Sequence, residues 1–112
     1  MKYVNLRDVK KTKRFVYEKR IPFDLEIGKF QVVYFEYDKP IKAHHHKITK
    51  EIFLILSGKG VIGINDNLYN AKYDDCFLIE PGDSHSIIAT STELVIAIFK
   101  PIEAKDDIYW DE

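Results

Sequence analysis

The sequence predicts an all-β fold in a single domain. Short runs rich in β-branched and aromatic residues recur along the chain, with turn signals about every 8–12 residues. No stretch carries convincing helical periodicity. Two of the runs are apolar on both parities: Ile52, Leu54 and Leu56 against Glu51, Phe53 and Ile55, and Leu94, Ile96 and Ile98 against Val95, Ala97 and Phe99. Strands of that kind are covered on both faces. A length of 112 residues suffices for one core.

Val4, Leu6 and Val9 suggest a first short strand, and Phe15 with Tyr17 a second. Pro22 marks a break before Phe23-Asp24-Leu25-Glu26-Ile27, which alternates as a half-buried strand. Gly28-Lys29 is a turn. Residues 30–37 are rich in aromatic and β-branched side chains and form a strand; Tyr34 and Glu36 take one face, Phe35 and Tyr37 the other. Residues 52–56 read as a buried strand that stops at Gly58. Residues 61–64 and 68–73 pair around Asn65-Asp66-Asn67, whose side chains tolerate left-handed backbone. Asp74-Asp75 turns the chain into a strand over 76–80, residues 86–90 make the next, and 93–99 the last, ended by Pro101.

Composition limits the partners. The net charge of −1 recruits no nucleic acid. No apolar run approaches a membrane span, and Met1-Lys2-Tyr3 opens no signal-peptide pattern. One cysteine, Cys76, forbids an intrachain disulfide and suits the cytoplasm; its apolar surroundings predict a buried, inert thiol. Residues 2–20 carry eight Lys/Arg against Asp8 and Glu18, a charge of +6, whereas 103–112 carry Glu103, Asp106, Asp107, Asp111 and Glu112 against Lys105, a charge of −4. These ends are expected to pack together, within a subunit or across a dimer. Strands apolar on both faces need a second layer, from the chain's own termini or from a second subunit; a homodimer is the expectation. Ile108, Tyr109 and Trp110 would close that seam or cap the barrel.

All four histidines fall in two short segments, His44-His45-His46 and His85 after Pro81-Gly82. On a strand, His44 and His46 project together and His45 the other way. Glu51 has the wrong parity for an unbroken strand, but a turn or bulge in 47–50 restores it. If the strand after the Pro-Gly turn lies beside the first, three imidazoles and a carboxylate converge. Nitrogen and oxygen ligands suit one divalent transition metal ion per subunit: Fe, Mn, Ni, Cu or Zn. Glu80, beside the turn, points either at the site or to solvent.

The pattern His44-x-His46-x4-Glu51-x6-Gly58 resembles the first motif of the cupin family, over about residues 38–58. Pro81-Gly82-Asp83-Ser84-His85 resembles the core of the second, over about 74–89. Asp38 and Asp74 stand where that family's motifs open on glycine, Glu80 replaces a proline and Ala89 an asparagine; these are turn and packing positions, not ligands. The resemblance implies a jelly-roll β-barrel spanning 1–112 as one cupin-like domain, with His44, His46, Glu51 and His85 as metal ligands.

The resemblance also implies a metal-dependent enzyme on a small-molecule substrate, with dioxygenase-type oxidoreductase chemistry ahead of isomerase or decarboxylase. Isomerisation needs a general base, for which Glu51, Glu36 or a tyrosine are candidates. The alternative is a non-catalytic module that binds a sugar or other small ligand, or a sensor. No catalytic residue is assigned.

Overall fold

The computed structural model describes residues 1–111; Glu112, counted in the acidic tail, lies outside them. Its strands are, in chain order, β1 (Thr12–Arg14), β2 (Tyr17–Asp24), β3 (Lys29–Glu36), β4 (Ile41–His45), β5 (Glu51–Ser57), β6 (Gly60–Ile64), β7 (Asn67–Ala71), β8 (Cys76–Ile79), β9 (His85–Ala89), β10 (Glu93–Lys100) and β11 (Tyr109–Trp110). A 3-10 turn over Leu6–Asp8 is the one helical element among the described residues. A six-stranded antiparallel sheet has the order β1-β2-β3-β10-β5-β8, and a five-stranded one β11-β4-β9-β6-β7. The sheets form an open barrel rather than one closed hydrogen-bonded ring. Between them lies one apolar core, which includes Phe35, Phe53, Ile55, Ile62, Ile87 and Ile96. This is the all-β jelly roll that the strand pattern and motifs implied.

Parity decides what each strand gives the core. On β3, Val33 and Phe35 point inward and are almost fully buried, which leaves Tyr34 and Glu36 outside. On β10 the inward row is Leu94, Ile96, Ile98 and Lys100, and on β5 it is Glu51, Phe53 and Ile55. The outer face of the larger sheet is treated unequally. Over β2 and β3 the N-terminal segment covers it. Arg20 Nε donates to the Val9 carbonyl at 3.1 Å and Nη1 to the Tyr34 hydroxyl at 2.9 Å, while the Lys11 ammonium sits 4.3 Å from the Tyr34 ring centre. Over β5, β8 and β10, Ile52, Leu54, Leu56, Leu78 and Phe99 stay 36–54% exposed.

Several expectations need correction. Cys76 is exposed, not buried; it pairs with Leu54 on the uncovered outer face. Val4, Leu6 and Val9 belong to no strand. The Asn5 side chain accepts the Arg7 N–H at 2.9 Å and starts a 3-10 turn instead. Phe15 is the tip of the β1–β2 hairpin, with φ at 51°. Pro22 does not interrupt β2. The register against β3 shifts between Arg20 and Phe23, and a bulge is where a residue without an N–H is tolerated. Residues 25–27 turn rather than pair, with the Leu25 N–H on the Gly28 carbonyl at 2.8 Å. Among the described residues no ion pair joins the basic N-terminal segment to the acidic tail. The ends meet instead through Phe15 and Trp110, ring centres 5.1 Å apart.

The turns that aim the site are tight. Asp38 and Asp74, the two aspartates at expected glycine positions, both adopt left-handed backbone, φ 56° and 71°. Aspartate is among the few residues that tolerate it. Gly58 has φ +80°, and a Cβ there would stand 1.9 Å from the Glu93 carbonyl oxygen.

Gly58→Ala should therefore destabilise the protein by about 1–3 kcal/mol through backbone strain and displacement of β10. A urea titration monitored by circular dichroism measures the loss.

Candidate metal centre and its cavity

Strands β4 and β9 pair with His44 directly opposite His85, which brings the two histidine segments together. After β4 the chain bends at Lys47-Ile48 before β5 begins at Glu51, so the parity correction lies within the polar interlude. His44, His46 and His85 each bring a ring nitrogen within 4.8 Å of the others. Glu51 stands against two of them, with Oε1 2.8 Å from His46 Nε2 and 3.3 Å from His85 Nε2. All four side chains are buried. His45 points away, as its parity requires: its Nδ1 is 2.8 Å from Asp111 Oδ1, and its ring stacks on Tyr109.

The hydrogen bonds fix the state of each ring. Nδ1 of His44 lies 2.8 Å from the Lys42 carbonyl, Nδ1 of His85 lies 3.0 Å from that of Asp83, and Nδ1 of His46 meets the Asp107 carbonyl. A carbonyl can only accept, so every Nδ1 carries a proton and donates it. In a neutral ring Nε2 then holds a lone pair. Three such lone pairs gather beside a carboxylate, and Glu51 Oε1 is buried without a hydrogen-bond donor. The short His46–Glu51 approach thus sets acceptor against acceptor. A proton shared between the two satisfies that contact only; a cation bound by all four satisfies every one. The donor set fits a divalent transition metal.

Without a cation, the charges favour a neutral His44 and a proton shared between His46 and Glu51. Burial, and next the neighbouring His85, pull His44 down to about 4, so it stays neutral near pH 7. Burial opposes the charged form of His46, but the Glu51 carboxylate outweighs it and the net shift is upward. Burial likewise pushes Glu51 up; contacts with His46 and His85 override it and hold the carboxyl well below its usual range.

The cage opens into a cavity of about 310 Å³, large enough for a small organic molecule. Tyr17, Gln31, Lys29, Lys100, Glu103 and the apolar Val33, Phe35 and Ile98 line it. Residues 103–108 of the tail form one wall, so the tail caps the barrel. Trp110 packs on both Phe15 and His44, ring centres 5.1 and 5.2 Å away. Burial pushes the Tyr17 phenol up to about 12. Glu36 is exposed, paired with Lys39 at 2.9 Å, and does not line the cavity. Glu80 is exposed as well, with Oε1 3.5 Å from Lys50 Nζ.

Asp107 escaped the sequence reading. Its carboxylate accepts the N–H groups of Lys47, Ile48 and Thr49 at 3.0, 2.8 and 2.7 Å, while its carbonyl orients His46. In sequence it was one acidic residue in an acidic tail, with nothing to separate it from Asp106. Lys100 and Gln31 did leave a signal. Lys100 continues the inward row 94, 96, 98, and Gln31 is the sole glutamine, set inside an apolar strand.

The geometry can be set beside known proteins. A sequence model of the family described as "Cupin domain" matches residues 31–99. No curated protein sequence matches the chain. A predicted oxalate decarboxylase from Thermotoga maritima is 21% identical and covers 91% of this chain and 100% of its own, with a TM-score of 0.84. KdgF from a Halomonas species is 16% identical over 95% of this chain and 97% of its own, with a TM-score of 0.81. Pac13 from Streptomyces, a nucleoside dehydratase, is 15% identical over 100% of this chain and 92% of its own, at 0.78. Identities this low establish the fold and leave the chemistry to this chain's own residues.

Asp107→Asn should cost about 1–3 kcal/mol, because it turns an amide donor towards backbone N–H groups. The desolvation of Asp107 pushes its carboxyl up, but the three backbone donors outweigh that and hold it below the ordinary aspartate value. A depressed folded value contributes stability that is full above the unfolded value of about 4 and is lost as pH falls through the folded one. The gap between wild type and variant in urea melts should thus be constant from neutral pH down to about 5 and shrink in more acid solution.

Proposed function

The chain belongs to the cupin domain family, and on that premise we propose a metal-dependent enzyme that acts on a small molecule held in the barrel cavity. One observation carries this reading: three histidine ring nitrogens and a Glu51 oxygen without a donor converge in one buried place. His44, His46, Glu51 and His85 are the proposed ligands of one divalent ion, Fe, Mn, Ni, Cu or Zn. When bound there, such an ion supplies Lewis-acid polarisation of an oxygen ligand, and redox chemistry if it is iron.

The chain's own residues divide the remaining work. The tail wall and the Phe15–Trp110 contact restrict water at the mouth. Tyr17, with its phenol raised, is a proton donor at neutral pH rather than a base. Glu103 is held by two lysines, and Asp24, Glu26 and Asp106 line the cavity from exposed positions. No free carboxylate of ordinary affinity remains in the buried part among the described residues. Glu51 and Glu36, the carboxylates considered as bases for isomerisation, are taken by the cage and by Lys39, which favours an oxidoreductase of dioxygenase type over an isomerase; decarboxylation needs no such base and remains open to the same cage. Ligand binding without turnover is the alternative.

Residues 1–112 are read as one domain. The exposed outer face of β5, β8 and β10 is proposed as a homodimer interface, since a contiguous apolar patch of this kind is uncommon on a monomer. The single unpaired Cys76 suits the cytoplasm. No helix among the described residues is long and apolar enough to cross a membrane.

Metal analysis by mass spectrometry on untagged protein, purified without chelator, should find about one transition metal ion per chain, and His46→Ala should lower that occupancy at least about tenfold. If the variant binds as much metal as wild type, the ligand assignment is wrong. Iron-loaded protein should consume dioxygen with its substrate. Light scattering should give the mass of two chains, and Leu54→Asp, which buries a charge in the proposed seam, should yield one.

A further inference from the structure

The charge of the cavity bears on the class of molecule it takes. Lys29 and Lys100 are directly paired across β3 and β10, and both face inward. Ile98 stands opposite Phe53 and Phe99 opposite Ile52; Lys100 follows on the inward row of β10 and lines the same cavity as Glu51. A single carboxylate answers both ammonium groups: Glu103 Oε1 lies 2.8 Å from Lys29 Nζ and Oε2 2.9 Å from Lys100 Nζ. That leaves one unit of positive charge among side chains that are 10–22% exposed.

Arg14 lines the same cavity, and Lys19 stands on the same face of the sheet, opposite Val33. Neither has a carboxylate partner among the described residues. Burial chiefly, and then the neighbouring Lys29, Arg14 and Lys100, pull the Lys19 ammonium down to about 8. Gln31, one inward position from the lysine pair and 3% exposed, has a buried carbonyl oxygen with no donor. Partly buried cations in excess and a buried acceptor without a donor are both costly unless a ligand completes them.

We propose that the cavity binds a small hydroxylated oxyanion, its carboxylate or phosphate group against Lys29 and Lys100 and a hydroxyl donating to Gln31, beside the cage. This rests on the small-molecule reading above and narrows its substrate class. The oxyanion supplies the second negative charge that the lysine pair lacks, and the hydroxyl supplies the donor that Gln31 lacks. A neutral ligand supplies the second only. Among the cavity's other carboxylates, Glu51 is committed to the histidine cage, Asp107 is engaged by backbone N–H groups and Asp24, Glu26 and Asp106 are exposed, so none replaces it.

Calorimetric titration of the intact, metal-loaded protein with glucose, glucuronate and glucose 6-phosphate tests this. The three share one ring and differ in the charged group. At least one anion should bind about tenfold or more tighter than glucose, and that advantage should shrink as sodium chloride is raised. Whether glucuronate or glucose 6-phosphate leads tells a carboxylate from a phosphate site. Lys29→Met should bring anion and sugar to within about threefold, and Lys29→Arg should keep them apart. If Lys29→Met does not fold, Lys100→Met takes its place, and the salt dependence of the wild type stands by itself. Anions that bind no better than glucose, or a preference that survives loss of the lysine, overturn the proposal. Metal content measured on the same samples separates the two readings. Full metal without anion preference ends this inference alone, whereas anion preference without any metal supports it and removes the metal-dependent reading.

Discussion

Each imidazole of the cage spends its Nδ1 proton on a main-chain carbonyl, and the rest of the site follows from that. The three rings are locked in orientation, their free nitrogens turned towards one another and towards Glu51. A protein pays for such a cluster in desolvation and in acceptor–acceptor repulsion, and a bound cation reverses both. One of the three carbonyls belongs to Asp107, which also ties down the bend between β4 and β5 through three backbone N–H groups. The tail is thus part of the site. It orients a histidine, fixes the turn that restores the parity of Glu51, and walls the cavity.

The two faces of the larger sheet have separate duties, divided by strand parity. Inward, β5 and β10 carry Glu51, Phe53, Ile98 and Lys100, which make the site and its floor. Outward, the same strands carry Ile52, Leu54 and Phe99, still exposed in the isolated chain. A one-residue slip in β5 would exchange these sets, burying Ile52 beside the histidines and expelling Glu51. Site chemistry and the proposed subunit contact therefore depend on one register, held at the end of β5 by the left-handed turn at Gly58.

The cavity itself is polar in an organised way. The cage, the Lys29–Glu103–Lys100 triad and Gln31 stand together at the inward rows of β3, β5 and β10, with Val33 and Phe35 beyond them. Glu103 reaches the triad from the tail, so removing the tail would expose the cage and leave two lysines unanswered. The hydrogen bonds from the Glu103 N–H to Ile27 and from the Lys50 N–H to Ile102 hold that segment across the barrel.

The all-β class, most strand positions and the two motifs whose proposed ligands the fold brings together were legible in the sequence alone, which fixed them without any distant partner. Those features are local: period-two alternation, turn residues that tolerate left-handed backbone, and histidines at i and i+2. It also supported the outward aim of His45, because parity needs no partner to be known. The remaining features depend on partners distant in the chain. Cys76 lies in an apolar run, yet its exposure depends on whether anything covers the outer face of β8. Pro22 looks like a strand end, and only pairing with β3 shows that a bulge absorbs it. Two residues of the tail become β11 because the edge of β4 offers unpaired backbone groups. Asp107 and Glu103 read as surface charge, and their roles come from the N–H groups of residues 47–49 and the Lys29 ammonium, more than fifty residues away in sequence. Periodicity records which side a residue faces; what waits on that side is set by packing.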